Sequence, residues 1–192
     1  MRKLALWALI IAILVIVVVI AIGISVYFIN RIIVLSNRTE NAWSQIDVQL
    51  KKRADLVPNL VETVKGYMMH ERKAIEMVTK ARENMLKAGD MKARAKAEGE
   101  LTRALKTIFA LAESYPNLKA SENFKLLQEQ LDGIESKIAY ARQFYNDSVL
   151  AFNNTITTIP GAWFAGIAGK AKTKEFFEIE EAEREPIKVE FE

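Results

Sequence analysis

The chain has no cysteine, one histidine, four prolines and eight glycines in 192 residues. Without cysteine there are no disulfides and no thiolate metal ligands, although cysteine-free chains occur on both sides of a membrane and the redox compartment stays open. A lone histidine, His70, rules out a di-metal bundle, because Glu-x-x-His pairs on two helices need a second imidazole. No glycine-rich phosphate loop and no nucleophile elbow is present. The sequence therefore offers no catalytic residue, no cofactor site and no metal site, and it reads as a non-enzymatic protein. Nucleic acid is excluded as a partner on charge. The net charge is +3, Arg2 and Lys3 supply two of those charges, and the remaining Lys and Arg alternate with acids instead of forming a basic stripe with stacking aromatics. Long Val/Ile/Thr alternation is also missing after the first segment. With Gly and Pro scarce and Ala, Leu, Glu, Lys and Arg plentiful, the fold class is all-α.

What is present begins with Leu4 to Ile29, a run without a single charge. It exceeds the roughly 20 residues that cross the hydrocarbon core of a bilayer. Trp7 and Tyr27 lie near its two ends, where amphipathic rings favour the headgroup region. The run is too long for a cleaved signal peptide, and no small-x-small site precedes Arg31. The reading is a transmembrane helix, giving a single-pass protein of the cell membrane with lipid as a partner. Arg2 and Lys3 on one flank nearly balance Arg31 and Arg38 on the other, so the side of the soluble domain is not assigned.

Beyond the anchor, the longest helical pattern is Trp43 to Met85, where apolar residues recur three and four apart. As one helix this makes a rod of roughly 65 Å at about 1.5 Å per residue, with a kink expected at Pro58. Ser36 or Asn37 is a candidate cap for a fresh start after the anchor. Gly89 is expected to end the rod in a left-handed conformation and Asp90 to cap a second helix from Met91 to about Tyr115. A third helix starts after Ser121 and carries a stripe from Phe124 to Ile159. Pro160 and Gly161 stop it, and a short helix is expected over Ala162 to Lys172. The architecture is an N-terminal transmembrane helix followed by an antiparallel up-and-down bundle of three long helices plus a short C-terminal one. The corresponding domains are 1–30 for the anchor, 31–175 for the bundle and 176–192 for an acidic tail expected to lack regular structure.

Two motifs stand out by their length. Ile46 to Glu71 reads IDVQLKKRADLVPNLVETVKGYMMHE, and Tyr115 to Pro160 reads YPNLKASENFKLLQEQLDGIESKIAYARQFYNDSVLAFNNTITTIP, with FFE at Phe176 to Glu178. In this order they resemble the LemA family over the anchor and nearly all of the domain. The resemblance implies a single-pass, membrane-anchored antiparallel helical bundle without an established enzymatic activity. It also implies, through a magnetosome-associated branch, a link to membrane shaping. Met68 and Met69 stand where small residues are common in the family.

Three constellations carry the functional reading. Asp55, Asn59 and Glu62 fall opposite the apolar stripe, where core packing does not need them, and form a candidate interface for self-association or a partner. Arg142 falls in the inner stripe of the third helix with Glu135, Asn146 and Asn153 at its edge, and it needs a carboxylate, either Glu71 or Glu135. These five residues form a candidate structural ladder that fixes helix register. Trp163, Phe164 and Ile167 form a candidate amphipathic contact. In a three-helix bundle that segment begins on the order of 60 to 90 Å from the anchoring bilayer, so it caps the bundle, touches a neighbouring subunit or meets a second membrane. The function expected is a membrane-anchored scaffold that forms homo-oligomers and organises or shapes membrane. The alternative is an adaptor or sensor relaying to a membrane protease or phosphatase partner.

Overall fold

The computed structural model describes residues 2–177; the expectation for the acidic tail beyond Phe177 lies outside the described residues. Among the described residues there are six helices and no strand: α1 (Arg2–Lys65), α2 (Arg72–Lys87), α3 (Met91–Ala112), α4 (Pro116–Ala120), α5 (Glu122–Thr157) and α6 (Gly161–Ala165). The chain divides into two compact units, one of residues 1–41 with 146–175, the other of residues 42–145 with the segment from Phe176. Both α1 and α5 contribute to each.

In the second unit α1 supplies Ile46, Leu50, Val57, Leu60 and Val64, all buried and spaced three, four or seven apart. Fully burying each large aliphatic side chain is worth roughly 1.5–3 kcal/mol, which is what a helix of this length needs from its neighbours. Pro58 lies inside α1, and the helix is assigned without interruption through it. The break comes later. The chain leaves the helix at Gly66 and re-enters it at Arg72, so the rod expected from Trp43 to Met85 is two helices. The Arg82 Nε donates to the Ala54 carbonyl at 2.9 Å, which lays α2 back along α1. A glycine inside a helix costs about 1 kcal/mol relative to alanine, and the buried Met68 side chain pins the turn that follows it.

The remaining turns follow from this reversal. Asn84 donates to Glu100 at 2.8 Å across the α2–α3 hairpin. Arg53 donates to Thr102 at 2.9 Å while Arg94 pairs with Asp47, so α3 runs parallel to α1. Arg53 also meets Glu135, and Trp43 meets Tyr145 with ring centroids 5.9 Å apart, so α5 runs antiparallel. The bundle is up-and-down as expected, but it has four principal helices instead of three, α1, α2, α3 and α5, with the short α4 added to the core. One cluster joins them, with Leu60 and Val64 of α1, Val78 of α2, Leu101, Leu105 and Ile108 of α3, Leu118 of α4, and Phe124 and Leu131 of α5.

Local chemistry explains the ends. The Asp90 carboxylate accepts from the Ala93 N–H at 2.7 Å, capping α3 as expected. Asp90→Ala should cost about 1 kcal/mol, read as a lower denaturant midpoint with an unchanged slope. Gly89 does not take the left-handed conformation; α2 ends through an extended Ala88 with φ −63° and ψ 117°, and the one glycine with positive φ among the described residues is Gly169. Pro116 both follows α3 and starts α4 as its first residue, where its missing N–H costs nothing. No fresh start occurs at Ser36 or Asn37: Ser36 is buried inside α1 and donates to Glu40 at 3.2 Å.

In the first unit the apolar run of α1 is exposed from Leu4 to Ile24, with none of its most hydrophobic window covered by protein, and Ser25, Phe28 and Ile29 near its end are half-buried. Such a helix, apolar all round, is matched to lipid. The hydroxyl of Ser25 is satisfied within the helix by the Ala21 carbonyl at 2.7 Å. Past the run, Ile32 packs with Phe152 and Ile156 of α5 and Ala165 of α6. The final helix is shorter than expected, ending at Ala165, and Ile159 points outward instead of closing the α5 stripe.

Candidate functional site

The second unit holds a buried charge cluster built from three helices. Arg53 sits one heptad from Ile46 and from Leu60, so it occupies a core position of α1 and is 5 % exposed. Glu98, also 5 % exposed, faces it from α3. The Arg53 guanidinium reaches Glu98 at 3.3 Å, Thr102 at 2.9 Å and Glu135 of α5 at 2.7 Å. Arg142 of α5 closes the group by pairing with Glu98 and lies 5.1 Å over the Phe177 ring. Two guanidiniums and two carboxylates neutralise one another. Chemically the arrangement can hold three helices in one register; it leaves each charge occupied by another.

The carboxylate of Arg142 is therefore Glu98, not Glu71 or Glu135. Glu71 sits in the turn between α1 and α2 and accepts from the Tyr115 hydroxyl at 3.2 Å. Loss of hydration, followed by the nearby Glu71 charge, raises the Tyr115 phenol above its ordinary value and keeps it a donor. Asn146 and Asn153 belong to the other unit. Of the five residues expected to make a ladder, Glu135 and Arg142 are brought together through Arg53 and Glu98, and Glu71 and Asn153 are engaged elsewhere. Sequence reasoning missed Arg53 and Glu98. The available signal was Arg53 standing midway between Ile46 and Leu60 at heptad spacing.

Asn153 works in the first unit as half of a clamp. Its side chain accepts from the Lys174 N–H and donates to the Lys174 carbonyl, each at 2.9 Å. Lys174 then extends its ammonium to α1, donating to the Ser36 carbonyl at 3.1 Å, to the Thr39 hydroxyl and to Glu40 at 3.3 Å, 5.3 Å over the Phe152 ring. Lys170 approaches Glu40 at 3.7 Å. The hydrogen bond from Lys174, and next its charge, hold the Glu40 carboxyl below its ordinary 4.5. A depressed folded value favours the ionised form, so the clamp's contribution is complete above that ordinary value and is lost as pH falls through the lower folded one. With Trp7→Phe and Trp43→Phe leaving Trp163 as the single tryptophan, its emission should accordingly show an acid transition with its midpoint below 4.5, flattened in Glu40→Gln.

Asp55, Asn59 and Glu62 are exposed along α1. Between α1 and α5 runs an open groove of about 530 Å³, lined by Lys52, Asp55, Glu129, Gln130, Gly133 and Lys137 among others. Trp163 and Ile167 are exposed and Phe164 is half-buried, its ring stacked on Phe28 at 5.9 Å. That contact removes the long separation expected from a three-helix bundle. With four helices, α5 leaves the second unit where α1 enters it, beside Trp43 and Tyr145.

The motifs singled out in sequence line these contacts: Arg53 and Glu71 in the first, Glu135, Arg142 and Asn153 in the second, Phe177 in the third. The family model of the LemA family matches residues 42–191, most of the chain. The chain belongs to the LemA family. Among curated proteins this LemA-family chain is similar to Magnetosome protein MamQ 2 of Paramagnetospirillum magneticum, 25 % identical over 82 % of the chain and 67 % of that protein. It is also similar to Magnetosome protein MamQ of Magnetospirillum gryphiswaldense, 25 % identical over 70 % of the chain and 59 % of that relative. The family match covers the Arg53–Glu98 cluster and the Asn153, Lys170 and Lys174 side of the clamp, while Ser36, Thr39 and Glu40 precede the matched segment. The apolar N-terminal run, which precedes that segment, agrees with a location at a membrane.

Proposed function

We propose that this protein is a non-enzymatic, single-pass scaffold that associates with itself at a membrane. The observation that carries the reading is the pairing of an N-terminal helical run whose most apolar window is uncovered with an exposed polar face on the bundle. The groove beside Asp55 supports self-association in particular. Lys52 and Lys137 stand there with Asp55 and Glu129, two charges of each sign, so the same patch on a second copy is complementary across a two-fold axis. The buried charges support a structural role, since the Arg53 cluster is internally neutral. Two relatives are named as magnetosome proteins, the branch through which the family resemblance implies a link to membrane shaping.

A chain without cysteine allows a clean test. Full-length Asn59→Cys in native membranes, treated with a short thiol cross-linker, should give a band of two copies of this chain. A cross-linked species containing a different polypeptide would replace this reading with an adaptor to a membrane partner, such as a protease or phosphatase.

A further inference from the structure

We infer that the segment from Ile159 to Ile167 is a second membrane contact, seated in the headgroup and acyl boundary of the same bilayer that α1 crosses. The inference rests on the reading of α1 as a membrane-spanning helix. The level of that boundary is marked on α1 itself. The uncharged run ends at Ile29, and Arg31 donates to the Tyr27 hydroxyl at 3.0 Å, an aromatic and a cation one turn apart at the edge of the apolar stretch. Phe28 lies between them, and it is Phe28 that Phe164 stacks on, with planes 12° apart. Phe164, Ala165 and Ala168 share one packed cluster with Ile32 and Leu35, which lie on the following two turns of α1.

The segment has two faces. Gly161, Phe164, Ala165 and Ala168 turn towards α1 and α5. Ile159, Trp163 and Ile167 turn away and are 71 %, 66 % and 72 % exposed. Three large apolar side chains are uncovered within nine residues, and one is tryptophan, whose ring with a polar N–H suits the boundary. Lys172 follows, exposed, where a cation meets lipid phosphate. Lys170 and Lys174 are spent on Glu40, so the clamp fixes the segment's height while the three apolar residues face outward.

The contact would give the anchor a fixed rotation about its axis, since α1 and α6 belong to one packed core. The test uses full-length protein in vesicles of phosphatidylcholine with a minority of phosphatidylglycerol, spin-labelled at Ile167→Cys or at Val15→Cys in the middle of the run. Collisions with oxygen are compared with collisions with a water-soluble nickel complex. Both labels should favour oxygen, Val15→Cys more than Ile167→Cys, and Trp163 emission, isolated by Trp7→Phe and Trp43→Phe, should shift to the blue on reconstitution. If Val15→Cys favours oxygen while Ile167→Cys collides freely with nickel, the second contact is wrong and the anchor stands. If both labels are open to nickel, the anchor reading fails and takes the inference with it.

Discussion

Glu98→Ala should destabilise the helical bundle by about 3–5 kcal/mol, because it leaves the guanidiniums of Arg53 and Arg142 facing each other in a site that excludes water. Glu135 cannot take over both: it already holds Arg53 and is about half exposed. The same reasoning gives the opposite outcome for wholesale replacement. Arg53→Met, Glu98→Leu and Arg142→Met together remove every buried charge of the cluster except the half-hydrated Glu135, and the triple variant should be within about 1 kcal/mol of the parent or more stable than it. Chemical denaturation of the three proteins separates a structural cluster from a functional one. If the triple variant is stable and retains the self-association of the parent, the charges serve register and not recognition.

Gly161→Ala should cost about 3 kcal/mol, at the upper end of overpacking effects. A Cβ at this position would stand 2.0 Å from the Thr155 carbonyl oxygen and 3.1 Å from its carbon, and neither is a flexible side chain that can swing aside. The turn from α5 into α6 must open to admit it, which lifts Phe164 from Phe28 and Ala165 from Ile32. Hydrogen exchange should rise in residues 155–170 while protection in α3 is kept. Gly133→Ala is the matched control, since a Cβ there meets nothing within 4 Å in the middle of α5, and it should stabilise by about 0.5–1 kcal/mol.

Much of this architecture was legible in the residues, and the exceptions have physical causes. The uncharged run, the α3 and α5 stripes and the Asp90 cap depend on local pattern, so periodicity and capping chemistry reveal them. The reversal at Gly66 does not, because Val57, Val64, Val78 and Met85 stay seven-fold in phase across it. The residue that breaks the pattern is Glu71, which a continuous helix would place in the core stripe and which the turn instead delivers to Tyr115. One missed reversal changed the parity of the bundle. That parity decided where α6 lies and which carboxylate Arg142 meets. The Arg53–Glu98 pair was obscured for a different reason: a charged residue at heptad spacing is taken for a surface residue next to Ala54 unless its partner, 45 positions away, is known.

Self-association is the claim on which the scaffold reading stands, and light scattering after size exclusion measures it directly on the full-length protein in detergent. The protein component of the particle should weigh a whole multiple, two or more, of the 21.7 kDa chain, and the mass should fall when Asp55→Lys and Glu129→Lys are introduced together. A protein mass of one chain at every concentration tested would contradict the account.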